Sequence, residues 1–328
     1  MRRALVTGAT GFVGGNLVRV LAEKGYRVRY IARGGKDAIA AKDLSGVEKL
    51  AGDLVDHASL ARAVADTDVV FHAGALVSFL ERDRKEMERV NVEGTEVLLR
   101  LSKQAGVKRF VHISTVDTVG TVPDGSPAHE ETPYNLHALH NVYPDTKTAA
   151  EERVKAAAAA GQDCVIVNPG FMIGAYDSKP SSSGMVLEMM RGKGVLAPSG
   201  GNSFVDVLDV CRGCILADER GVSGQRYILA GHNLTYYEFW TKIAGIVGKR
   251  KPLGVAPGWL AMFVAACVEG LAALRGKRPL FSRAETRFSL MDHYFASGKA
   301  ERELGYAFSP IEPAIERARD WFVANGYR

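Results

Sequence analysis

Short apolar runs alternate with longer segments of helical periodicity through the first half of the chain. Runs at 3–7, 27–32, 47–51, 68–73, 109–114 and 164–168 are apolar at both alternating sets of positions. That pattern predicts strands covered on both faces. Between them, 12–24, 59–65, 85–104 and 144–160 read as helices, the last ending in an alanine run before Gly161. This alternation predicts βαβ units and hence a doubly wound, parallel α/β sheet. After Asn168 the rhythm breaks into a loop-rich stretch holding Pro180, Gly184, Gly192, Gly194 and Gly200-Gly201. A strand and helix over 204–218 and a strand at 226–230 read as a return to the sheet. Residues from 232 onward read as mainly helical, placed over the C-terminal sheet edge where open α/β sheets bind their ligands. The expected organisation is therefore a nucleotide-binding domain over 1–170, with 204–231 returning to it. The smaller, mostly helical substrate part takes 171–203 and 232–328.

Gly8-Ala9-Thr10-Gly11-Phe12-Val13-Gly14 falls directly between the first strand and the first helix. Glycines in that setting let the backbone turn sharply and approach a pyrophosphate, and the helix N-terminus offers unpaired N–H groups. The end of the second strand bears on which dinucleotide is held. A carboxylate there would accept from a ribose 2′-hydroxyl, whereas this chain has Ala32 followed by Arg33, with Lys36 close behind. Positive charge and planar donors suit a 2′-phosphate, so NADP(H) is expected in preference to NAD(H). Asp53 and Leu54 after the third strand are placed to meet the adenine. Ala73, Gly74 and Ala75 after the fourth are small where a cofactor would press on backbone.

Tyr143-Pro144-Asp145-Thr146-Lys147 carries the reactive chemistry. Pro144 suits the first turn of a helix, which sets Tyr143 at its mouth and Lys147 one turn inside. A phenol titrates near pH 10 in water, roughly three units above neutrality. A neighbouring ammonium and a positive nicotinamide ring lower that value. Such a phenol can give a proton to a carbonyl, or take one from an alcohol, while hydride moves at the nicotinamide. A third member of the set, a hydroxyl, is expected at the end of the fifth strand, where Ser114 and Thr115 stand, to hold the substrate oxygen.

Together these motifs resemble the extended short-chain dehydrogenase/reductase superfamily over essentially the whole chain, and so imply a Rossmann-type sheet. By that resemblance Thr115, Tyr143 and Lys147 match the catalytic hydroxyl, the acid/base tyrosine and its lysine. Asn91-Val92-Glu93-Gly94-Thr95 is similar to the mid-domain helix motif. Asn168-Pro169-Gly170, with Met172 beyond it, is similar to the segment that passes the nicotinamide. The Tyr-Pro-x-Thr-Lys form, Phe295-Ala296-Ser297-Gly298-Lys299-Ala300 and Glu303-Leu304-Gly305-Tyr306 resemble the dihydroflavonol-reductase-like and 3β-hydroxysteroid-dehydrogenase-like branch. Asn233-Leu234-Thr235 is similar to a hopanoid-associated sugar-epimerase subgroup. Nucleotide-sugar epimerases of the superfamily usually hold a diphosphate with an arginine just before the strand near residue 204. The matching positions here are Asn202 and Ser203, and Gly170-Phe171-Met172 adds apolar surface. The expected reaction interconverts a secondary alcohol and a ketone on an apolar, steroid-, terpenoid- or flavonoid-like molecule. Sugar-nucleotide epimerisation, with another arginine such as Arg191 on the phosphate, is the alternative. A homodimer through the helices 85–104 and 144–160 is also implied by the resemblance.

Composition changes this picture little. The formal charge of +5 is scattered along the chain, and no nucleic-acid motif is present, so no nucleic-acid partner is expected. The four cysteines do not suggest a disulfide framework, and Cys211-x-x-Cys214 lies in an apolar helical stretch, so it reads as core and no metal site is expected. The glycine turn follows the first seven residues at once, which leaves no room for a signal peptide and points to a cytoplasmic location. The segment 255–274 is nearly all apolar, with Glu269 its only charge and basic residues on either side. It reads first as a buried helix roofing the substrate pocket and second as an interfacial helix giving peripheral membrane contact.

Overall fold

The computed structural model describes residues 1–35, 37–137, 141–275 and 282–327. Among these, the strands in chain order are β1 (Arg3–Thr7), β2 (Arg27–Ala32), β3 (Glu48–Ala51), β4 (Val69–His72), β5 (Arg109–Ile113), β6 (Cys164–Pro169), β7 (Phe171–Ile173), β8 (Leu196–Ala197), β9 (Gly201–Asp206), β10 (Arg226–Leu229), β11 (His232–Thr235), β12 (Gly254–Val255) and β13 (Asp292–His293). Seven of them form one parallel sheet in the order β10-β6-β5-β4-β1-β2-β3. The direction of winding reverses between β1 and β4. At such a switch point the flanking loops diverge and leave a crevice at the carboxyl ends of the strands.

Strand alternation feeds two cores. In β4, Val69 and Phe71 enter the core under the helices Phe12–Glu23 and Val207–Arg220, while Val70 enters the one under His57–Val64, Gly94–Gln104 and Val142–Ala159. Cys211 and Cys214 lie buried in the first of these. The expected helix over 85–104 is interrupted by a wide turn at Glu88–Glu93, where the helical ladder lengthens by one residue. Just beyond it, Gly94 passes so close to Leu54 that an added Cβ would lie 3.3 Å from that residue.

The strand expected near 204 does not return to the large sheet. β9 pairs instead with β7, β11 and β13 in a small second sheet, and only the helix Val207–Arg220 and β10 rejoin the first. Phe204 explains the difference. Its ring stacks on Phe239 at 3.7 Å and meets Phe171 and Tyr236 edge-on, which ties the strand to a third core of the C-terminal part. The helix Gly258–Leu274 corrects a second expectation. It does not bury as a roof, and Ala265 alone among its described side chains is buried. It leans on the helix Arg283–Ser289 along one side, where Glu269 accepts from the Arg283 guanidinium at 2.6 Å.

Candidate active site

The crevice at the switch point is floored by the glycine turn. Gly8 has φ +74°, and a Cβ there would stand 2.6 Å from the Ala73 carbonyl and the Gly74 nitrogen. A Cβ on Gly14 would strike the Gly8 carbonyl. Both positions therefore require glycine, for backbone conformation at the first and for close approach at both. Gly11 closes the turn onto the Gly8 oxygen at 2.9 Å and precedes the helix Phe12–Glu23 without a side-chain cap. Thr10, Phe12 and Val13 are partly exposed around it.

Beneath the turn runs a chain of buried hydrogen bonds that motif reading missed. The Gly74 amide donates to the Thr7 hydroxyl at 3.1 Å, so that hydroxyl is oriented toward Nδ1 of His72 at 2.7 Å. His72 Nε2 meets the Thr95 hydroxyl at 2.8 Å, and Thr95 donates to the Asn91 carbonyl at 2.6 Å. Only a neutral imidazole protonated on Nε2 satisfies every member. Burial, reinforced by the charge of Lys147, pushes the His72 pKa down to about 3. The Asn91 side chain then reaches Leu76 on both backbone groups and Thr146 at 3.1 Å, so it ties the β4 loop to the helix carrying Tyr143.

At the adenosine end, Arg33 is exposed at the start of a short turn after β2. Lys36 lies outside the described residues. Arg89, not singled out by sequence, grips Glu86 with two hydrogen bonds of 2.8 and 3.0 Å. That guanidinium, with the charge of Arg33 added, holds the Glu86 carboxyl below its ordinary range. Asp53 is partly buried, its amide bonded to Ser59 at 3.1 Å. Leu54 is buried against Gly74, Ala73 is partly buried and Ala75 is exposed.

The helix Val142–Ala159 starts at Asn141, whose side chain accepts from the Tyr143 amide at 3.3 Å. One turn in, Lys147 is buried and donates to the Ile113 carbonyl at 2.9 Å and to His112 Nε2 at 3.3 Å. Burial pulls its pKa down to about 8, against the raising influence of Glu151. Burial of the Tyr143 phenol, and then the charge of Asp117, push its pKa above the ordinary tyrosine value, while the adjacent Thr115 hydroxyl opposes the shift. The Asp117 amide in turn donates to the Thr115 hydroxyl oxygen at 3.2 Å. Burial raises the Asp117 carboxyl to about 6, opposed by Thr115. The structure thus gathers Thr115, Tyr143 and Asp117 on one side, with Lys147 behind them against the end of β5.

Asn168, expected along the cofactor path, turns its side chain into the protein. Its side chain is fully buried and donates to the Thr115 carbonyl at 3.0 Å, the Thr118 hydroxyl at 3.0 Å and Glu151 at 2.7 Å. It braces the loop bearing Thr115 from inside the sheet. Ser114 is buried with its hydroxyl unpartnered among the described residues. Pro169 ends β6 in the core, Met172 is partly buried, and a Cβ on Gly170 would stand 2.6 Å from the Ser203 carbonyl. At Asn202 and Ser203 the polar atoms are engaged inside the protein. Asn202 reaches the Tyr236 hydroxyl at 3.4 Å, while the Ser203 hydroxyl bonds Asn233 and accepts from the Phe295 amide at 3.0 Å. Arg191 is ion-paired with Glu188 at 3.0 Å. Phe79 packs a tilted ring 6.2 Å from that of Tyr143.

The model of the NAD dependent epimerase/dehydratase family matches residues 4–230. A Synechocystis sp. protein provisionally named dihydroflavonol 4-reductase is 35% identical, over 98% of this chain and 95% of its own. Sterol demethylase protein B of Methylococcus capsulatus is 33% identical over 98% of each chain. The crystal structure of gox2253 superposes with a TM-score of 0.86 at 34% identity, covering 100% of this chain and 99% of that one. The chain therefore belongs to the NAD dependent epimerase/dehydratase family and is an NAD(P)-dependent oxidoreductase.

Proposed function

We propose that this member of the NAD dependent epimerase/dehydratase family interconverts a secondary alcohol and a ketone on an apolar, steroid-, terpenoid- or flavonoid-like substrate, with NADP(H) as its preferred cofactor. Gly8, Gly14 and Gly74 draw the turn tightly against its neighbours, and the helix that follows starts without a side-chain cap, which suits a dinucleotide pyrophosphate. In that reading the turn Gly8–Gly14 faces the pyrophosphate, Arg33 the 2′-phosphate, Asp53 and Leu54 the adenosine, and Lys147 the nicotinamide ribose. When bound, the nicotinamide accepts or supplies the hydride. Thr115 holds the substrate oxygen, and Tyr143 gives or takes its proton as the carbon is reduced or oxidised. Deprotonation of Tyr143 has to offset the burial and the Asp117 charge that raise its pKa, and the Lys147 ammonium one turn along the helix would act in that direction.

The observation that carries the apolar substrate is the internal engagement of Asn202 and Ser203. Where a diphosphate clamp would stand, both side chains already bond Tyr236, Asn233 and the Phe295 backbone. The names of the relatives point the same way, one to a sterol and one to a dihydroflavonol.

Calorimetry of NADPH and NADH on wild type and Arg33→Ala tests the cofactor reading. The expected result is tighter NADPH binding that falls by about ten- to a hundredfold in the variant, the worth of a charge-assisted hydrogen bond. Equal affinities, or a preference for NADH, would overturn it. Turnover of NADPH with steroid and terpenoid ketones tests the substrate. Tightly held nucleotide with no net turnover, and release of an epimerised sugar, would replace this reading with the epimerase one.

A further inference from the structure

The helix Gly258–Leu274 turns an apolar stripe outward. Trp259, Phe263, Cys267, Gly270 and Leu274 recur at helical spacing, and all are exposed, Trp259 by 74%, Phe263 by 64% and Leu274 by 86%. Val264, Ala266 and Leu271 widen the stripe. At 100° per residue these positions span an arc of about 160° with no charged side chain in it. The only charge of the helix, Glu269, is held to Arg283 beside the stripe. The approach to the helix continues the character, since Leu253 is 84% exposed just before β12.

Charge says what such a face would meet. Lys249, Arg250 and Lys251 are exposed just ahead of this segment and Arg275 just after it. None of the four is ion-paired among the described residues. A second copy docking through the same face would bring like charges together. A soluble protein partner would ordinarily offer hydrogen-bonding groups at the rim, and the stripe has only the Trp259 indole N–H and the Cys267 thiol to answer them. No described helix is long and apolar enough to cross a membrane. A helix about 25 Å long and apolar outward, followed by Arg275 and preceded in the chain by Lys249, Arg250 and Lys251, has the features of one that lies in a lipid interface.

We infer that the outer face of Gly258–Leu274, with Arg275 after it and Lys249, Arg250 and Lys251 ahead of it in the chain, docks this protein on an anionic lipid surface. The inference goes beyond the oxidoreductase reading and does not rest on it, because its test measures binding and not turnover. Three of the four cysteines are buried and Cys267 is exposed, so a thiol-reactive, environment-sensitive fluorophore reports from the face itself.

The experiment is sedimentation of the full chain, unlabelled and labelled at Cys267, with phosphatidylcholine vesicles with or without about 30 mol % phosphatidylglycerol. The expected result is binding at least about tenfold stronger to the anionic vesicles, weakened by salt, with a blue-shifted label. Lys249→Glu/Arg250→Glu/Lys251→Glu should lose the anionic preference. Trp259→Ser/Phe263→Ser should lose binding while calorimetric nucleotide affinity stays unchanged. Absence of vesicle binding by wild type at low salt overturns the proposal, as does equal binding by variants that still bind nucleotide. So does lipid-independent dimerisation through Cys267 cross-links that Phe263→Ser abolishes, which would assign the face to a second copy.

Discussion

Two helices of almost equal length treat their side chains in opposite ways. Val142–Ala159 is rich in charge yet buries Lys147 and Glu151, whereas Gly258–Leu274 is nearly all apolar yet turns Trp259, Phe263 and Leu274 to the outside. The first can do so because each buried charge is answered. Lys147 has Ile113 and His112, and Glu151 has Thr118, Asn168 and Arg226. The second has no packed layer beyond its outer side among the described residues. Composition therefore sets what a helix needs from its surroundings, and tertiary structure decides whether those needs are met by protein.

The sharpest way to break this contrast is at the mouth of the first helix. Tyr143→Phe should lower kcat by about 10²- to 10⁴-fold, the range for losing a proton donor, with calorimetric nucleotide affinity little changed. Retained turnover would remove Tyr143 from the proposed chemistry.

A second test addresses the cost of the buried ammonium. The folded pKa of Lys147 is about 8, below its ordinary value of 10.5, so between those pH values the unfolded chain carries the extra proton. Wild-type stability should therefore gain from this group as pH rises from about 8 to 10.5, by up to about 3 kcal/mol from the two-and-a-half-unit shift. In Lys147→Met that rise should vanish, and the variant should be at least as stable as wild type at pH 7. Denaturant titrations of both proteins across this window check it, and parallel curves would contradict the assigned shift.

The smallest effect belongs to the second helix. Trp259→Ser should change unfolding free energy by less than about 0.5 kcal/mol, as for an exposed residue. A loss several times larger in a denaturant melt would mean the side chain is covered in the folded protein.

The features visible from sequence are those that local spacing enforces. A strand, a glycine turn and a helix follow one another at Arg3–Glu23, and Tyr143 and Lys147 sit one turn apart on one helix, so proximity in the chain gives proximity in space. What stayed hidden depends on distant partners. His72 looks like any buried strand residue until Thr7 and Thr95 close on its two nitrogens. Asn168 belongs to a recognisable motif, but its inward direction is set by Thr118 and Glu151 from two other segments. Asp117 stood two residues from Thr115 in plain view. Its charge near an apolar strand end was the available signal, and its raised pKa follows only from burial. The sheet joined by β9 was equally indeterminate, because Phe204 could serve either core until Phe239 stacked on it.

The hydrogen-bond chain beneath the glycine turn has a consequence for how this enzyme responds to acidity. A backbone amide fixes one end of Thr7–His72–Thr95 and a backbone carbonyl fixes the other, so no proton along it can reverse direction without losing a partner. The ring takes a second proton only near pH 3, where the Thr7 hydroxyl would have to turn and accept from Nδ1 instead. The floor under the nucleotide is consequently indifferent to the medium, like a keel below the waterline. The groups shifted toward neutrality lie on the other side of the site, Asp117 at about 6 and Lys147 at about 8.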